Sequence, residues 1–446
     1  MTHDPLHQAL LTARAPRYTS YPTADRFTGA VGPALHRDWL RTIPPGSTVS
    51  LYVHVPFCRR LCWFCACRTQ GARGDGPLDR YLDYLHREIA MIRGLLPDRV
   101  RVGALHLGGG TPTILSSDRL DRLGAMLNEA FAPDGARVSV EIDPCDCDDA
   151  RLDALMRLGM NRASIGVQDF DASVQAAIGR RQSAERTAQI VADLRARGIG
   201  SINMDLLYGL PHQTGRRLAR TLQAVLRMRP DRIALYGYAH VPWMARRQAL
   251  IPENALPTAQ ERLDLSDLAR EILLASDYAS VGIDHFALPD DSLAQAARDG
   301  YLRRNFQGYT TDPDTVLLGI GPSAISRFAQ GYVQNATATA DWQKALDQGG
   351  LATARGVQMT ARDHVIADVI EALMCHGQAD LFAIASGAGL TDHCLERAEA
   401  ALVRYPGAGQ MRDAVLVLSD LRVARLVAQV FDDGAAGGER RYSQAS

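Results

Sequence analysis

The chain has 446 residues, too many for one small core, and at 46% hydrophobic and 22% charged it has the composition of an ordinary globular protein. With 49 basic against 50 acidic residues the net charge is −1, which excludes the broad positive field of a nucleic-acid binder. No apolar run reaches the roughly 18 residues of a membrane helix, and Met1–Arg14 lacks the apolar core and cleavage site of a signal peptide. A cytoplasmic protein with reduced thiols is therefore expected. Its basic residues are almost all arginine; Lys344 is the only lysine, so a Schiff base could form nowhere else.

In chain order, residues 1–49 read as an N-terminal arm. From about 50 to 240, short apolar runs alternate with helical periodicity. Strands are expected at Ser50–Val55, Val102–Leu107, Val138–Ile142, Ala163–Val167, Ile202–Leu207 and Ile233–Tyr238. Between the first two, a helix opens at Pro77, with Leu78, Tyr81, Leu82, Leu85, Ile89 and Ile92 on one face. Six β/α units with short connections imply parallel strands and right-handed crossovers, as an open sheet or a barrel. In either, chemistry sits at the carboxyl ends of the strands. The unusual residues fall there: cysteines after the first strand, Gly108-Gly109-Gly110 after the second, Glu141 ending the third, Gln168 after the fourth and Asp205 in the fifth. Residues 241–257, with Pro242, Pro252 and Pro257, read as a connector. A helix over 259–276 and a strand near 280–286 follow, within a core extension spanning 241–358. Residues 359–446 are expected to be mostly helical, with a Gly-rich, frayed end after Phe431.

Four of the eight cysteines lie within ten residues: Cys58, Cys62, Cys65 and Cys67. A tight cluster in a long chain points to a metal rather than a disulfide scaffold. The C-x3-C-x2-C spacing lacks the distant second pair of a zinc ribbon; Cys145 and Cys147 stand too close together to supply it. Three thiolates on one loop can hold three irons of a [4Fe–4S] cube and leave one iron for an outside ligand, with Cys67 as fourth ligand or bystander.

A Cx3Cx2C loop after a first β-strand resembles the radical S-adenosylmethionine (SAM) family. The match extends to Arg17-Tyr-Thr-Ser-Tyr-Pro-Thr23, Leu51-Tyr-Val-His-Val-Pro-Phe-Cys58, Leu107-Gly-Gly-Gly-Thr-Pro-Thr113, Gly166-Val-Gln-Asp-Phe170, Asp205-Leu-Leu-Tyr-Gly-Leu-Pro211, Gly282-Ile-Asp-His-Phe286, Asn305-Phe-Gln-Gly-Tyr-Thr-Thr311 and Gly321-Pro-Ser-Ala-Ile-Ser326. Together these resemble the oxygen-independent coproporphyrinogen III oxidases, over about residues 17–435. The fold this implies is α/β: a partial (β/α)6 radical-SAM barrel with an N-terminal arm and a mostly helical C-terminal domain. The arm motif and the Asn305 segment resemble the oxidases rather than their haem-chaperone relatives.

The resemblance implies Cys58, Cys62 and Cys65 as ligands of a [4Fe–4S] cluster, with Cys67 beside the substrate. It implies two SAM molecules in one active site. Tyr52, Gly108 and Glu141 would contact the cluster-bound one. Phe64, Gly109, Gly110, Gln168, Arg180, Asp205, Ala239 and Ile325 would contact the second, with Gln307 near either. Tyr52, Glu141 and Arg180 are the candidate catalytic residues, Arg181 being the alternative to Arg180. Arg17 is a candidate for a substrate propionate. His54, which points the same way as Tyr52, and Asp284-His285 read equally as packing or function. Arg68-Thr69 depart from the Asn-Lys expected after Cys67.

The implied reaction removes a hydrogen from the β-carbon of a propionate by a 5′-deoxyadenosyl radical. Loss of CO₂ and one electron then gives a vinyl group. On rings A and B this converts coproporphyrinogen III to protoporphyrinogen IX, in haem biosynthesis. The implied partners are coproporphyrinogen III and an electron-donor protein, with no nucleic acid or membrane, and the chain is expected to be a monomer. Three other functions fit parts of the pattern: a haem-binding chaperone, which would leave coproporphyrinogen intact, a zinc-stabilised interaction protein, which would hold one zinc in place of iron and sulfide, and a radical SAM oxidoreductase acting on a different tetrapyrrole.

Overall fold

A computed structural model describes residues 5–12, 14–133 and 135–432. Six strands, β1 (Thr48–Val55), β2 (Arg101–Gly109), β3 (Arg137–Ile142), β4 (Arg162–Gln168), β5 (Ser201–Tyr208) and β6 (Arg232–Gly237), form a parallel run in sequence order. The first five are one to three residues longer than their apolar runs, because ladder pairing continues past the last side chain that needs burial, and β6 keeps its expected length but starts one residue earlier. Along β3 to β5 burial alternates, so period two sends one face to the helices and the other to the sheet's concave side.

The sheet is larger than six strands. A seventh parallel strand, Leu317–Ile320, pairs with β1 on its free side. Beyond it, Ile325–Phe328, Gly331–Asn335 and Thr353–Gln358 add an antiparallel meander. On the other edge, β6 pairs with His285–Ala287, which pairs with Ala279–Val281. The single strand expected over 280–286 is thus a hairpin, broken at Gly282, whose positive φ of 59° turns the chain. The twelve strands run from edge to edge without closing, in keeping with a partial barrel.

The helix Gly76–Leu95 buries the apolar face its periodicity predicts. Glu88 lies on that same face and is buried too. Its carboxylate accepts from Gly321 N (2.7 Å), Asn335 Nδ2 (2.6 Å) and Trp342 Nε1 (3.0 Å), tying the helix to the added strands. Three convergent donors are what a buried carboxylate requires.

The described part of the arm is bound at several points. Thr28 and Gly356 exchange backbone hydrogen bonds (2.8 and 2.9 Å). Leu10, Ala15, Tyr18 and Tyr21 join the core of the C-terminal region rather than that of the barrel. The C-terminal region is mostly helical, with Ala361–His376, Thr391–Arg404 and Ala424–Phe431, but it also carries a three-stranded antiparallel sheet of Gln378–Asp380, Val415–Leu418 and Gly409–Arg412. Those strands are three or four residues long, too short for an alternation to show in sequence. The frayed end expected after Phe431 lies, from residue 433, outside the described residues. Among those described, no helix is long and apolar enough to cross a membrane.

Glu88 generates a stability prediction. Burial pushes its carboxyl up to about 7, from an ordinary 4.5. The folded chain therefore holds the proton more tightly than the unfolded one, and this contribution is complete below about pH 4.5 and lost as pH rises through 7. Glu88→Gln turns an amide N–H₂ toward a donor and should cost about 1–3 kcal/mol in urea unfolding. The gap between wild type and variant should be wider at pH 5 than at pH 8.

Candidate functional site

A cavity of about 870 Å³ opens on the carboxyl ends of the parallel strands, at the upper end of the range for ligand pockets. The cysteine loop forms one wall. Cys58, Cys62, Cys65 and Cys67 all line the cavity, as do Tyr52, Phe64, Gly109, Gly110, Glu141, Gln168, Arg180, Asp205, Gln307 and Ile325. Gly108 and Ala239 do not. Gly108 lies behind Glu141, and the Ala239 carbonyl is turned to Gln248 Nε2 (3.1 Å).

Strand register explains the first cluster of side chains. Tyr52 pairs across β1 and β2 with His106, and their rings stack at 5.6 Å. Tyr52 OH lies 3.0 Å from His54 Nδ1, and His54 Nε2 lies 3.2 Å from the Arg68 carbonyl. The parallel aim of Tyr52 and His54 follows from their spacing. Glu141 accepts from Gly109 N at 3.1 Å and sits 3.3 Å from His106 Nε2, with much of its carboxylate open to the cavity.

The glycines are there because nothing larger fits. A Cβ on Gly110 would sit 2.5 Å from the Phe57 carbonyl oxygen; one on Gly109 would enter the His54 ring at 2.4 Å, and its φ of 107° is glycine territory besides. The missing side chains let this backbone pack directly on β1, with Gly110 N donating to the Val55 carbonyl (2.7 Å) and Gly109 N to Glu141 (3.1 Å).

At the end of β4 the ladder slips by one residue, and Gln168 takes a left-handed φ of 69°. A bulge re-aims a side chain, and here it turns Gln168 into the cavity. Asp205 accepts from Asn203 Nδ2 (2.8 Å) and Ser164 Oγ (3.2 Å); burial, with the Glu141 charge nearby, pushes its carboxyl up to about 6.

Arg180 is buried against the cysteine loop. It lies 3.2 Å from Asp143 Oδ2 and 3.6 Å from Cys62 Sγ, and donates to the Gly166 carbonyl (2.8 Å) and Gln182 Oε1 (2.9 Å), while its buried Nε has no partner. Arg181, its sequence alternative, is exposed, and its carbonyl accepts from Arg60 (2.8 Å) and from Cys145 Sγ (3.8 Å). Thr111 Oγ1 lies 3.5 Å from Cys58 Sγ. A hydrogen bond from Cys67, with the charges of Arg247 and Arg180, brings Cys65 down to about 6, while burial raises Cys58 to about 11. Cys145 is exposed, and Cys147 is buried beside the helix that Arg186 ties to it.

Several contributors were not readable in sequence. The Pro-rich connector supplies Gln248, which holds the Phe64 carbonyl (2.7 Å), and Arg247, which holds Thr69 Oγ1 (2.8 Å) and the Cys67 carbonyl (3.3 Å). Arg60 and Asp143 complete the ionic wall (3.9 Å). Their positions depend on long-range folding; only His106, alternating between Leu105 and Leu107 as Tyr52 does between Leu51 and Val53, carried a local signal.

The family model for the radical SAM superfamily matches residues 52–225. An oxygen-independent coproporphyrinogen III oxidase of Paracoccus denitrificans is 49% identical, with 96% of each chain covered. One from Cereibacter sphaeroides is 47% identical over the full length of both. The chain belongs to the oxygen-independent coproporphyrinogen III oxidase family. Among solved structures, the coproporphyrinogen III oxidase of Escherichia coli, described as a radical SAM enzyme, superposes with a TM-score of 0.89 at 37% identity, covering 94% of this chain and 97% of that one.

Membership of this radical SAM family implies a [4Fe–4S] cluster and SAM, and the residues present fit both. The donor set is soft thiol, as iron–sulfur ligation requires. Among the described residues no three His, Cys, Asp or Glu side chains converge closely enough for a single ion. The unpartnered Arg180 Nε provides a donor for an anionic amino-acid tail. Cys62→Ser, prepared anaerobically with iron and sulfide, should fall well short of the about four irons per chain of the wild type and lose its [4Fe–4S] absorption. A variant with full iron and an unchanged spectrum would overturn Cys62 as a ligand.

Proposed function

We infer that the chain is a radical SAM oxidoreductase that decarboxylates the ring A and B propionates of coproporphyrinogen III to vinyl groups, without oxygen, in haem biosynthesis. The observation that carries this reading is the union of a Cx3Cx2C loop and a close-packed glycine run at one cavity with full-length similarity to the oxidases. The arm supports it further. Arg304, two residues before Phe306, donates to the carbonyls of Tyr18 (3.2 Å) and Arg17 (3.4 Å), so the two segments that set the oxidases apart meet in space.

A [4Fe–4S] cluster and SAM, bound together, would supply the radical chemistry that removes hydrogen from a propionate β-carbon. The protein supplies placement and exclusion of water. We assign Cys58, Cys62 and Cys65 to three irons. Arg180 stands against Cys62 and offsets thiolate charge, while its free Nε suits a carboxylate. Glu141 keeps lone pairs open to the cavity while Gly109 N and His106 fix its orientation, so it can accept from an ammonium or a ribose hydroxyl. Tyr52, braced between His54 and His106, closes that side.

The cavity's size leads us to propose two SAM molecules. Tyr52 and Glu141 would serve the first. The second would be held by Phe64, Gly109, Gly110, Gln168, Arg180, Asp205 and Ile325, with Gln307 near either; Gly108 and Ala239, off the cavity wall, are left out of both sets. We take the enzyme to work as a cytoplasmic monomer fed by an electron-donor protein, apart from nucleic acid and membrane.

The deciding experiment is an anaerobic assay of reconstituted protein with SAM, a reductant and coproporphyrinogen III. Vinyl products are expected; haem binding without decarboxylation would overturn the reading. Glu141→Ala should keep its cluster spectrum and lose at least tenfold in the rate of SAM cleavage, followed as 5′-deoxyadenosine. An unchanged rate would remove Glu141 from the site.

A further inference from the structure

Behind Tyr236 lies a second cavity, of about 80 Å³, which shares that tyrosine with the main one. Guanidinium groups dominate its wall. Arg17 reaches it from the arm, Arg262 from the helix Ala259–Leu274, Arg304 from the strand Arg303–Asn305 and Arg425 from the last helix. Most of these are engaged: Arg262 donates to the Tyr238 carbonyl, Arg425 to the carbonyls of Pro16 (3.0 Å) and Ala15, and, elsewhere on the wall, Arg422 binds Asp267 (2.6 Å) and Asp420 (2.9 Å) and Arg270 binds Ser280 Oγ (3.0 Å).

Among the described residues the one carboxylate on this wall is Asp284, and it already binds His285 Nδ1 at 2.6 Å. Four guanidinium groups thus face one occupied carboxylate. The crowding is felt: burial, together with the charge of Arg17, pushes Arg425 down to about 10.

Arg304 is the decisive group. It is 9% exposed, its Nε and Nη2 are anchored on the arm's carbonyls, and its guanidinium lies 4.4 Å from the centre of the Tyr309 ring. Its Nη1 is buried with no partner. An unmade hydrogen bond on a buried cation is a cost that a ligand can remove. Arg17, on the same wall, donates to the Gly237 carbonyl at 2.9 Å.

We propose that this cavity is a carboxylate subsite, in which Arg304 and Arg17 receive a propionate arm of the substrate that is not being decarboxylated. The proposal rests on the decarboxylase reading for the identity of the ligand. Coproporphyrinogen keeps its ring C and D propionates, and an enzyme that must leave them intact needs a place to hold them apart from the reacting arm. The volume suits this. A water occupies about 30 Å³ of liquid, so the cavity takes a carboxylate with its short stem and excludes the macrocycle. Tyr236, standing between the two cavities, sets the distance between held and reacting arms. Arginine's planar fork is matched to a carboxylate, and it stays charged where a lysine would not.

The test uses the full-length, anaerobically reconstituted chain, with coproporphyrin III and its tetramethyl ester as fluorescent probes. Wild type should bind the tetra-acid at least tenfold more tightly than the ester. Arg304→Gln should erase most of that preference and leave ester affinity within twofold, and Arg304→Lys should restore part of it. Because Arg304 also anchors the arm, Arg17→Gln, at an exposed position, serves as a second variant and should weaken tetra-acid binding about threefold. Equal binding of acid and ester by wild type, or wild-type acid affinity in both Gln variants, overturns the subsite. Arginine-dependent acid binding without any vinyl product would uphold the subsite and sink the decarboxylase reading. Vinyl production with arginine-independent binding would do the reverse.

Discussion

Parallel pairing is the constraint on which everything else rests. Six strands running the same way must finish on the same side of their sheet. Residues as distant in sequence as Tyr52, Glu141, Gln168 and Asp205 therefore line one cavity without any of them reaching far. Register then does the fine placement. Because Tyr52 pairs with His106, the two rings stack, and because His54 pairs with Gly108, the His54 ring lies where Gly109 leaves room. A one-residue slip in β2 would turn His106 into the core and bring a side chain against the cavity floor.

The second organising feature is charge. The cysteine loop carries several thiols close together, and thiolates so placed repel one another. Arg180 stands at Cys62 and is itself balanced by Asp143, while Arg247 pins the far end of the loop. A buried pair is weak evidence for stability by itself, but losing one partner would strand the other. Arg180 is thus held by its neighbours in a place that an exposed Arg181 could not occupy.

Much of this was legible in sequence, and the reasons are local. Cx3Cx2C, the glycine run and the strand-end carboxylates are short motifs whose spacing carries the chemistry, and period-two and period-3.6 patterns locate β1 to β6 and the helix at 76–95. What escaped depends on contacts between distant segments. Glu88 reads as one polar residue on a helix and gains its meaning from Gly321, Asn335 and Trp342, more than 230 positions away. Arg247 and Gln248 sit in a stretch whose prolines announce only a connector. Gly108 and Ala239 lie just off the cavity wall, Gly108 packed against Glu141 and His106 and the Ala239 carbonyl taken by Gln248, which no pattern of residue types records.

The near-absence of lysine bears on all of these contacts. Every cation that meets the site is a guanidinium, and a guanidinium spreads its charge over a plane that can serve several acceptors at once. Arg180 uses that plane to span a thiol, a carbonyl, an amide and a carboxylate; Arg304 uses it to hold the arm and lie on a tyrosine, with its Nη1 left over. A lysine at either position could offer its three protons from a single atom and would have to abandon some of these partners. The arm is therefore fastened by the same type of group that faces the substrate's carboxylates, so folding the arm onto the core also completes the cationic wall beside the cavity.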